Sequence, residues 1–112
     1  MLSEQRISSL IELGFRRWTK GSMDRLYINA TQLGLACTYY NSGNISFATF
    51  NGEKISNTRA YEMKSAKIYI DIQSETLCST DITLKEAALE FVGSDIDYDT
   101  VRRNGPAKLS WS

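Results

Sequence analysis

The sequence predicts an α+β fold in which helices pack on one face of an antiparallel β meander of about five strands. Two segments, residues 3–13 and 84–92, repeat apolar side chains at helical spacing and are each followed by a glycine. Between them, several segments alternate apolar and polar residues with the period of two that is typical of half-buried strands. Turn sequences separate those segments, and Asn51-Gly52 is the strongest short hairpin signal in the chain.

The first predicted element is an N-terminal helix over residues 3–13. Ser3 can cap its first turn and Gly14 can end it. Its predicted apolar face consists of Ile7, Leu10 and Ile11.

Residues 15–55 predict the antiparallel meander. Its strands fall in the segments FRRW, DRLYIN, LACTYY and ISFATF, and the Asn51-Gly52 turn leads into a further short strand. In DRLYIN, alternation places Leu26 and Ile28 on one side, and Arg25 and Tyr27 on the other.

A short middle helix is predicted to begin at Ser56, with Ala60 and Met63 facing inward. The segment AKIYIDI then predicts a strand, and LCS can pair back on it. The strand's inward residues are Ile68, Ile70 and Ile72, and its outward residues are Lys67, Tyr69 and Asp71.

A C-terminal amphipathic helix is predicted over residues 84–92, with Thr83 and Glu86 as a capping box and Gly93 as its end. Its predicted apolar face comprises Leu84, Ala87, Ala88, Phe91 and Val92. Residues 1–93 therefore form one α+β domain, and residues 94–112 form a C-terminal tail that is either docked or disordered.

The composition argues against an enzyme. The chain has no histidine, which removes the commonest general base and metal ligand. Two cysteines alone cannot form a structural zinc site, and no phosphate-binding glycine loop occurs. The acidic run at residues 95–99 lacks the glycine and glutamate of a calcium loop. We expect no catalytic residues, no metal and no cofactor.

The N-terminus lacks the continuous apolar run of a signal peptide, and no segment is long and apolar enough to span a membrane. These patterns predict a cytoplasmic protein that does not bind membranes. Cys37 and Cys78 are then expected to be reduced and to pack as small apolar side chains.

Charge is distributed unevenly along a chain whose formal net charge is zero. Residues 14–29 carry +3, residues 70–99 carry −7, and residues 100–112 carry +3. Two candidate binding surfaces follow. The basic hairpin contributes Arg16, Arg17, Trp18, Lys20, Arg25 and Tyr27, and the acidic segment contributes Glu86, Glu90, Asp95, Asp97 and Asp99.

The basic hairpin could bind a nucleic-acid backbone and stack on bases. Alternatively, its aromatic and arginine side chains suit a protein interface. The acidic segment could occupy a phosphate-binding groove on a protein partner. A solvated surface without a partner is the alternative for both segments, and neutral total charge weighs against simple nucleic-acid binding.

Three stretches, LGFRRWTKGSMDRLYINATQLGL, YYNSGNISFATFNGEKISN and AKIYIDIQS, resemble small proteins carried by phages and mobile elements of Firmicutes and gut bacteria. The resemblance spans residues 13–73. It implies a short cytosolic protein that binds and blocks a component of host defence, the class to which anti-CRISPR proteins belong.

The combined expectation is a non-enzymatic, anti-CRISPR-like protein that acts in the host cytoplasm. It would bind and inhibit a nucleic-acid-handling defence protein such as a Cas effector. Direct binding of nucleic acid through the basic aromatic hairpin is the alternative. A homodimer, joining the basic hairpin of one copy to the acidic segment of another, is also compatible with the charge layout.

Overall fold

The computed structural model describes residues 1–93 and the backbone of residues 107–108. The described helices are α1 (Glu4–Leu13), α2 (Asn57–Ser65) and α3 (Ile82–Val92), with a 3-10 turn at Ala30–Leu33. The described strands are β1 (Arg16–Lys20), β2 (Met23–Ile28), β3 (Leu35–Tyr39), β4 (Ile45–Phe50), β5 (Glu53–Ile55), β6 (Ile68–Asp71), β7 (Thr76–Ser79) and β8 (Ala107–Lys108). The predicted α+β class, with N-terminal, middle and C-terminal helices, is confirmed.

The strands form two antiparallel sheets rather than one continuous meander. The larger sheet has the order β1-β2-β6-β7-β8, and the smaller has the order β3-β4-β5. Strand β2 therefore pairs with β6, which follows it in sequence by some forty residues, and not with β3. The Asn51-Gly52 hairpin between β4 and β5 is present, and both of its residues have the positive φ of a type I′ turn.

The division between the sheets occurs at the 3-10 turn. Its Ala30 and Leu33 are buried, so the turn redirects the chain into the core instead of continuing to an adjacent strand. Gly34 then adopts a φ of 119°, and a Cβ at this position would lie 1.9 Å from Asn51 Oδ1. The Asn51 N–H donates to the Gly34 carbonyl at 3.0 Å, which joins the turn to the β4–β5 hairpin.

The core lies against the inner face of the larger sheet. Leu26, Ile70 and Leu77 are opposite one another on β2, β6 and β7, and all three are 0% exposed. Each such side chain contributes roughly 1.5–3 kcal/mol by leaving water. Helices α1 and α3 bury their apolar sides in the same cluster, and α2 packs on the smaller sheet.

Helices α1 and α2 begin where the sequence predicts. Ser3 Oγ accepts the Arg6 N–H at 3.1 Å, and Ser56 Oγ accepts the Arg59 N–H at 3.0 Å. In α2, Ala60 and Met63 are buried as predicted. In α1, Ile11 was expected on the buried face but is 44% exposed, because the core contacts only the side that carries Ile7 and Leu10.

The predicted capping box of α3 is wrong. The helix begins at Ile82, and its N-cap is Asp81, whose carboxylate accepts the Leu84 N–H at 3.1 Å. The same carboxylate binds the Arg59 guanidinium, with one of the two hydrogen bonds at 2.9 Å. A carboxylate held in place two residues earlier therefore replaces Thr83 as the cap.

Helix α3 ends at Val92 and is followed by Gly93, as the sequence pattern predicted. Leu89 and Lys85 are also buried on α3, so its contact with the core is wider than the sequence pattern indicated. Within the predicted tail, Ala107–Lys108 pairs its backbone with β7. The other residues of 94–112 lie outside the described part of the chain.

Replacing Ile70 by alanine should destabilise the fold by about 2–5 kcal/mol, because the cavity would lie in the middle of the buried row. Tyr69→Ala, on the opposite face of β6, should cost less. Urea unfolding of both variants measures the difference. Equal losses would contradict the assignment of Ile70 and Tyr69 to opposite faces.

Replacing Asp81 by alanine should destabilise the fold by about 2 kcal/mol, since it removes a helix cap and the partner of Arg59. Asp81→Asn keeps a capping side chain and should cost less. The Arg59 hydrogen bonds lower the pKa of Asp81, so the carboxylate stabilises the fold fully above its unfolded pKa of about 3.9. That stabilisation is lost as the pH falls further, through the folded-state pKa.

Urea unfolding at neutral pH and at successively lower pH values tests this assignment. The gap between the protein and Asp81→Asn should shrink on acidification. A gap that stayed constant down to pH 2 would show that the charge of Asp81 does not stabilise the fold.

Candidate functional site

The outer face of the larger sheet carries aromatic and basic side chains side by side. The register pairs Arg16 with Tyr27, and Tyr27 in turn with Tyr69, across β1, β2 and β6. Alternate residues of a strand point to the same side. Every second residue along β1, β2 and β6, counted from these positions, therefore also lies on the outer face. The aromatic-basic face is defined here as Arg16, Trp18, Lys20, Arg25, Tyr27, Lys67 and Tyr69.

Three aromatic rings run across the aromatic-basic face. The ring centroids of Trp18 and Tyr27 are 6.3 Å apart in an edge-to-face arrangement, and those of Tyr27 and Tyr69 are 5.3 Å apart. Trp18 is 43% exposed, while the two tyrosines are half-buried. Burial raises the pKa of Tyr69, so its hydroxyl stays neutral at physiological pH. The row offers flat, uncharged surfaces on an open sheet.

Arg25 is held by aromatic groups. Its Cζ lies 4.2 Å from the centroid of the Tyr69 ring, and its Nη1 donates to the Tyr27 hydroxyl at 3.1 Å. Its Nε is buried and has no hydrogen-bond partner within the described part of the chain. The hydrogen bond to Tyr27 raises the pKa of Arg25, so the guanidinium keeps its charge. Arg25 is thus a cation whose position is fixed by its aromatic neighbours.

Two cavities open on the aromatic-basic face. One of about 360 Å³ is lined by Arg16, Arg17, Trp18, Tyr27, Asn29, Gln32 and Lys67. The other, of about 430 Å³, is lined by Arg25, Lys67, Tyr69, Cys78, Ser79 and Thr80. Both volumes are in the range of small-ligand sites, and both cavities have aromatic and cationic walls.

The electrostatic balance of the aromatic-basic face is positive. Four of its members are cations, and the one described carboxylate in register with them is Asp71, opposite Arg25. Asp71 is partly engaged, since its Oδ1 accepts hydrogen bonds from the Ser74 N–H at 2.9 Å and the Ser74 hydroxyl at 3.0 Å. The excess of cations favours an anionic ligand at this surface.

Arg17 differs from the other basic residues of the predicted hairpin surface. It is opposite the buried Leu26 and points to the inner side of the sheet, where its Nη2 lies 2.6 Å from Asp24 Oδ2. Its Nη1 lies 3.3 Å from Glu4 Oε2 on α1. The Arg17 hydrogen bonds lower the pKa of Asp24. Arg17 therefore connects β1, β2 and α1, and its charge is already compensated.

The two described acidic residues of the predicted site, Glu86 and Glu90, do not lie on the aromatic-basic face. Glu86 and Glu90 lie on α3, which packs on the inner face of the sheet. Glu90 is exposed and lines an open cleft beside Asn51 and Phe91. The predicted site residues Asp95, Asp97 and Asp99 lie outside the described residues.

Lys67 and Tyr69 complete the aromatic-basic face but were absent from the predicted site. Alternation in AKIYIDI placed both side chains outward, and the structure confirms that orientation. Their position beside Tyr27 follows only from the β2–β6 pairing, which joins distant parts of the chain. One signal in the sequence pointed to Lys67 and Tyr69. The strands that became β2 and β6 both present aromatic and basic residues on their outward side, which matches them as neighbours in a sheet.

Known proteins supply no further guide to this surface. Comparison of the chain with protein-family models, curated proteins and solved structures finds no match. Within the described residues, no three His, Cys, Asp or Glu side chains are close enough to hold a metal ion. No helix among these residues has both the length and the apolar character needed to cross a membrane.

Charge reversal should separate the two adjacent arginines of β1. Arg17→Glu places a carboxylate against Asp24 and Glu4, and should destabilise the fold by about 1 kcal/mol or more, since it replaces attraction by repulsion. Arg16→Glu alters an exposed residue on the outer face and should leave the thermal midpoint nearly unchanged. Thermal unfolding at low salt gives the midpoints of the two variants for comparison. Equal midpoints would show that the Arg17 ion pairs contribute nothing to stability.

Proposed function

We propose that this protein is a non-enzymatic binding module that holds single-stranded nucleic acid on the aromatic-basic face. The proposal depends on one observation above all. Rings from three adjacent strands lie on an exposed sheet face among cationic side chains. Proteins that bind single strands combine these two features, because cations attract the phosphates and rings stack on bases.

A single strand suits this surface better than a duplex does. In a duplex the bases are stacked on one another, so the rings of Trp18 and Tyr27 would have no base to contact. In a single strand the bases can turn outward and stack on aromatic side chains or on an arginine plane. The face carries both kinds of stacking partner, since Arg25 lies over Tyr69.

A protein inhibitor of a nucleic-acid-handling defence enzyme is the second candidate. The resemblance to phage and mobile-element proteins supports it, and so does the zero net charge of the chain. In this version Glu86 and Glu90 of α3 would face a phosphate-binding groove on a target such as a Cas effector. An inhibitor of this kind should block target cleavage by a purified effector, and Glu90→Lys should weaken the block.

Trp18→Ala should weaken binding of a 12-nucleotide single strand by about 5- to 150-fold, the loss expected for one stacked base at 1–3 kcal/mol. Phe47→Ala is a matched control, because Phe47 lies on the smaller sheet and is 45% exposed, close to the 43% of Trp18. Fluorescence anisotropy with a labelled oligonucleotide in 50 mM salt measures the affinity of both variants.

Salt dependence gives a second readout. Affinity for the single strand should fall between 50 and 200 mM salt, and a duplex of the same sequence should bind more weakly than the strand at each concentration. No binding of the single strand at 50 mM salt would overturn the proposal. If Trp18→Ala and Phe47→Ala lost equal affinity for the single strand, the aromatic-basic face would not be the binding site.

A further inference from the structure

Lys67 lines both cavities of the aromatic-basic face, and this shared residue suggests how a strand would be seated. We propose that the cavities hold two consecutive nucleotides of one strand, with the phosphate between them at the Lys67 amino group. The inference rests on the proposed binding of single-stranded nucleic acid, and adds to it the number of nucleotides held and the place of one phosphate.

The first cavity has the walls of a base-stacking site. Trp18 and Tyr27 supply its aromatic surface, and Arg16 lies beside them on β1. The amide of Gln32 forms part of the wall but is already used, since its Nε2 donates to the Gly14 carbonyl at 2.8 Å and its Oε1 accepts the Asn29 N–H at 3.0 Å. This wall is therefore held in place before a ligand arrives.

The second cavity offers a different stacking surface. The Arg25 guanidinium lies over the Tyr69 ring, so a base entering here would meet the guanidinium plane rather than the phenol. Arginine planes are established stacking partners for unpaired bases. Thr80 lines the same cavity and has a hydroxyl group that suits the polar edge of a base.

Lys67 is suited to the phosphate between the two bases. The residue is exposed and immediately precedes β6, and its amino group forms no ion pair with any described carboxylate. By contrast, Lys64 donates to the Tyr39 hydroxyl at 2.8 Å. An ammonium group between two cavities can meet one phosphate without giving up an internal partner.

Asp71 limits where along β6 a phosphate can bind. Its carboxylate is on the outer face opposite Arg25, two residues further along β6 than Tyr69. A phosphate placed at that end would be repelled, whereas one at the Lys67 end would be attracted. The charges on β6 thus favour a single arrangement of the backbone, with its linking phosphate near Lys67.

A neutral backbone analogue tests this assignment. The probes are a thymidine dinucleotide with a normal phosphodiester and the same dinucleotide with an uncharged methylphosphonate link, titrated by NMR into the full chain. The protein should bind the phosphodiester about tenfold more tightly. Lys67→Gln should remove this preference, and Lys54→Gln, a matched change on the smaller sheet, should retain it. A uridine dinucleotide in parallel shows whether RNA or DNA is preferred, and binding of either supports the assignment.

The outcomes separate this inference from the proposed function. If a 12-nucleotide strand binds but Lys67→Gln keeps the preference for phosphodiester, the placement of the phosphate at Lys67 is wrong and the proposed function stands. If the longer strand binds while neither dinucleotide does, the two-nucleotide site is wrong. If no strand binds at 50 mM salt, both proposals fall together. Thermal unfolding of Lys67→Gln confirms that the variant is folded.

Discussion

The structure depends on the burial of one row of side chains that crosses the larger sheet. Leu26, Ile70 and Leu77 come from three adjacent strands and are completely removed from water. Burying them requires helices on that side, and α1 and α3 supply those helices. Because side chains alternate along a strand, the same constraint turns Arg25, Tyr27, Lys67 and Tyr69 to the opposite side. The candidate binding surface is thus a consequence of how the core is built.

The arginines show how the fold divides structural charges from available ones. Arg17 and Arg59 are paired with carboxylates, and each joins separate elements of the fold. Arg25 is held instead by a phenol hydroxyl and an aromatic ring, which position the guanidinium without neutralising it. The number of basic residues in a segment is therefore a poor guide to its binding charge, because ion pairing within the fold removes some of them.

Local patterns in the sequence predicted the helices, most strand faces and the inward row on β6. These features depend on residues a few positions apart, for which helical spacing and alternation are sufficient. The pairing of β2 with β6 and the division into two sheets were not predictable in this way, since they depend on where the chain turns at Gly34 and Asn51. For the same reason Lys67 and Tyr69 were missed, and the capping role of Asp81 depends on Arg59 in a different helix.

The zero net charge of the chain is compatible with an anionic ligand, because such a ligand would respond mainly to nearby charges. The Debye length is about 8 Å at physiological ionic strength. Glu90 is exposed on α3, which packs on the inner face of the sheet. Solvent weakens the repulsion from such a carboxylate, whereas the cations of the aromatic-basic face lie on the outer side of the sheet, in direct reach of a ligand. The separation of charge between the two sides of the sheet, rather than the total, sets what each surface can bind.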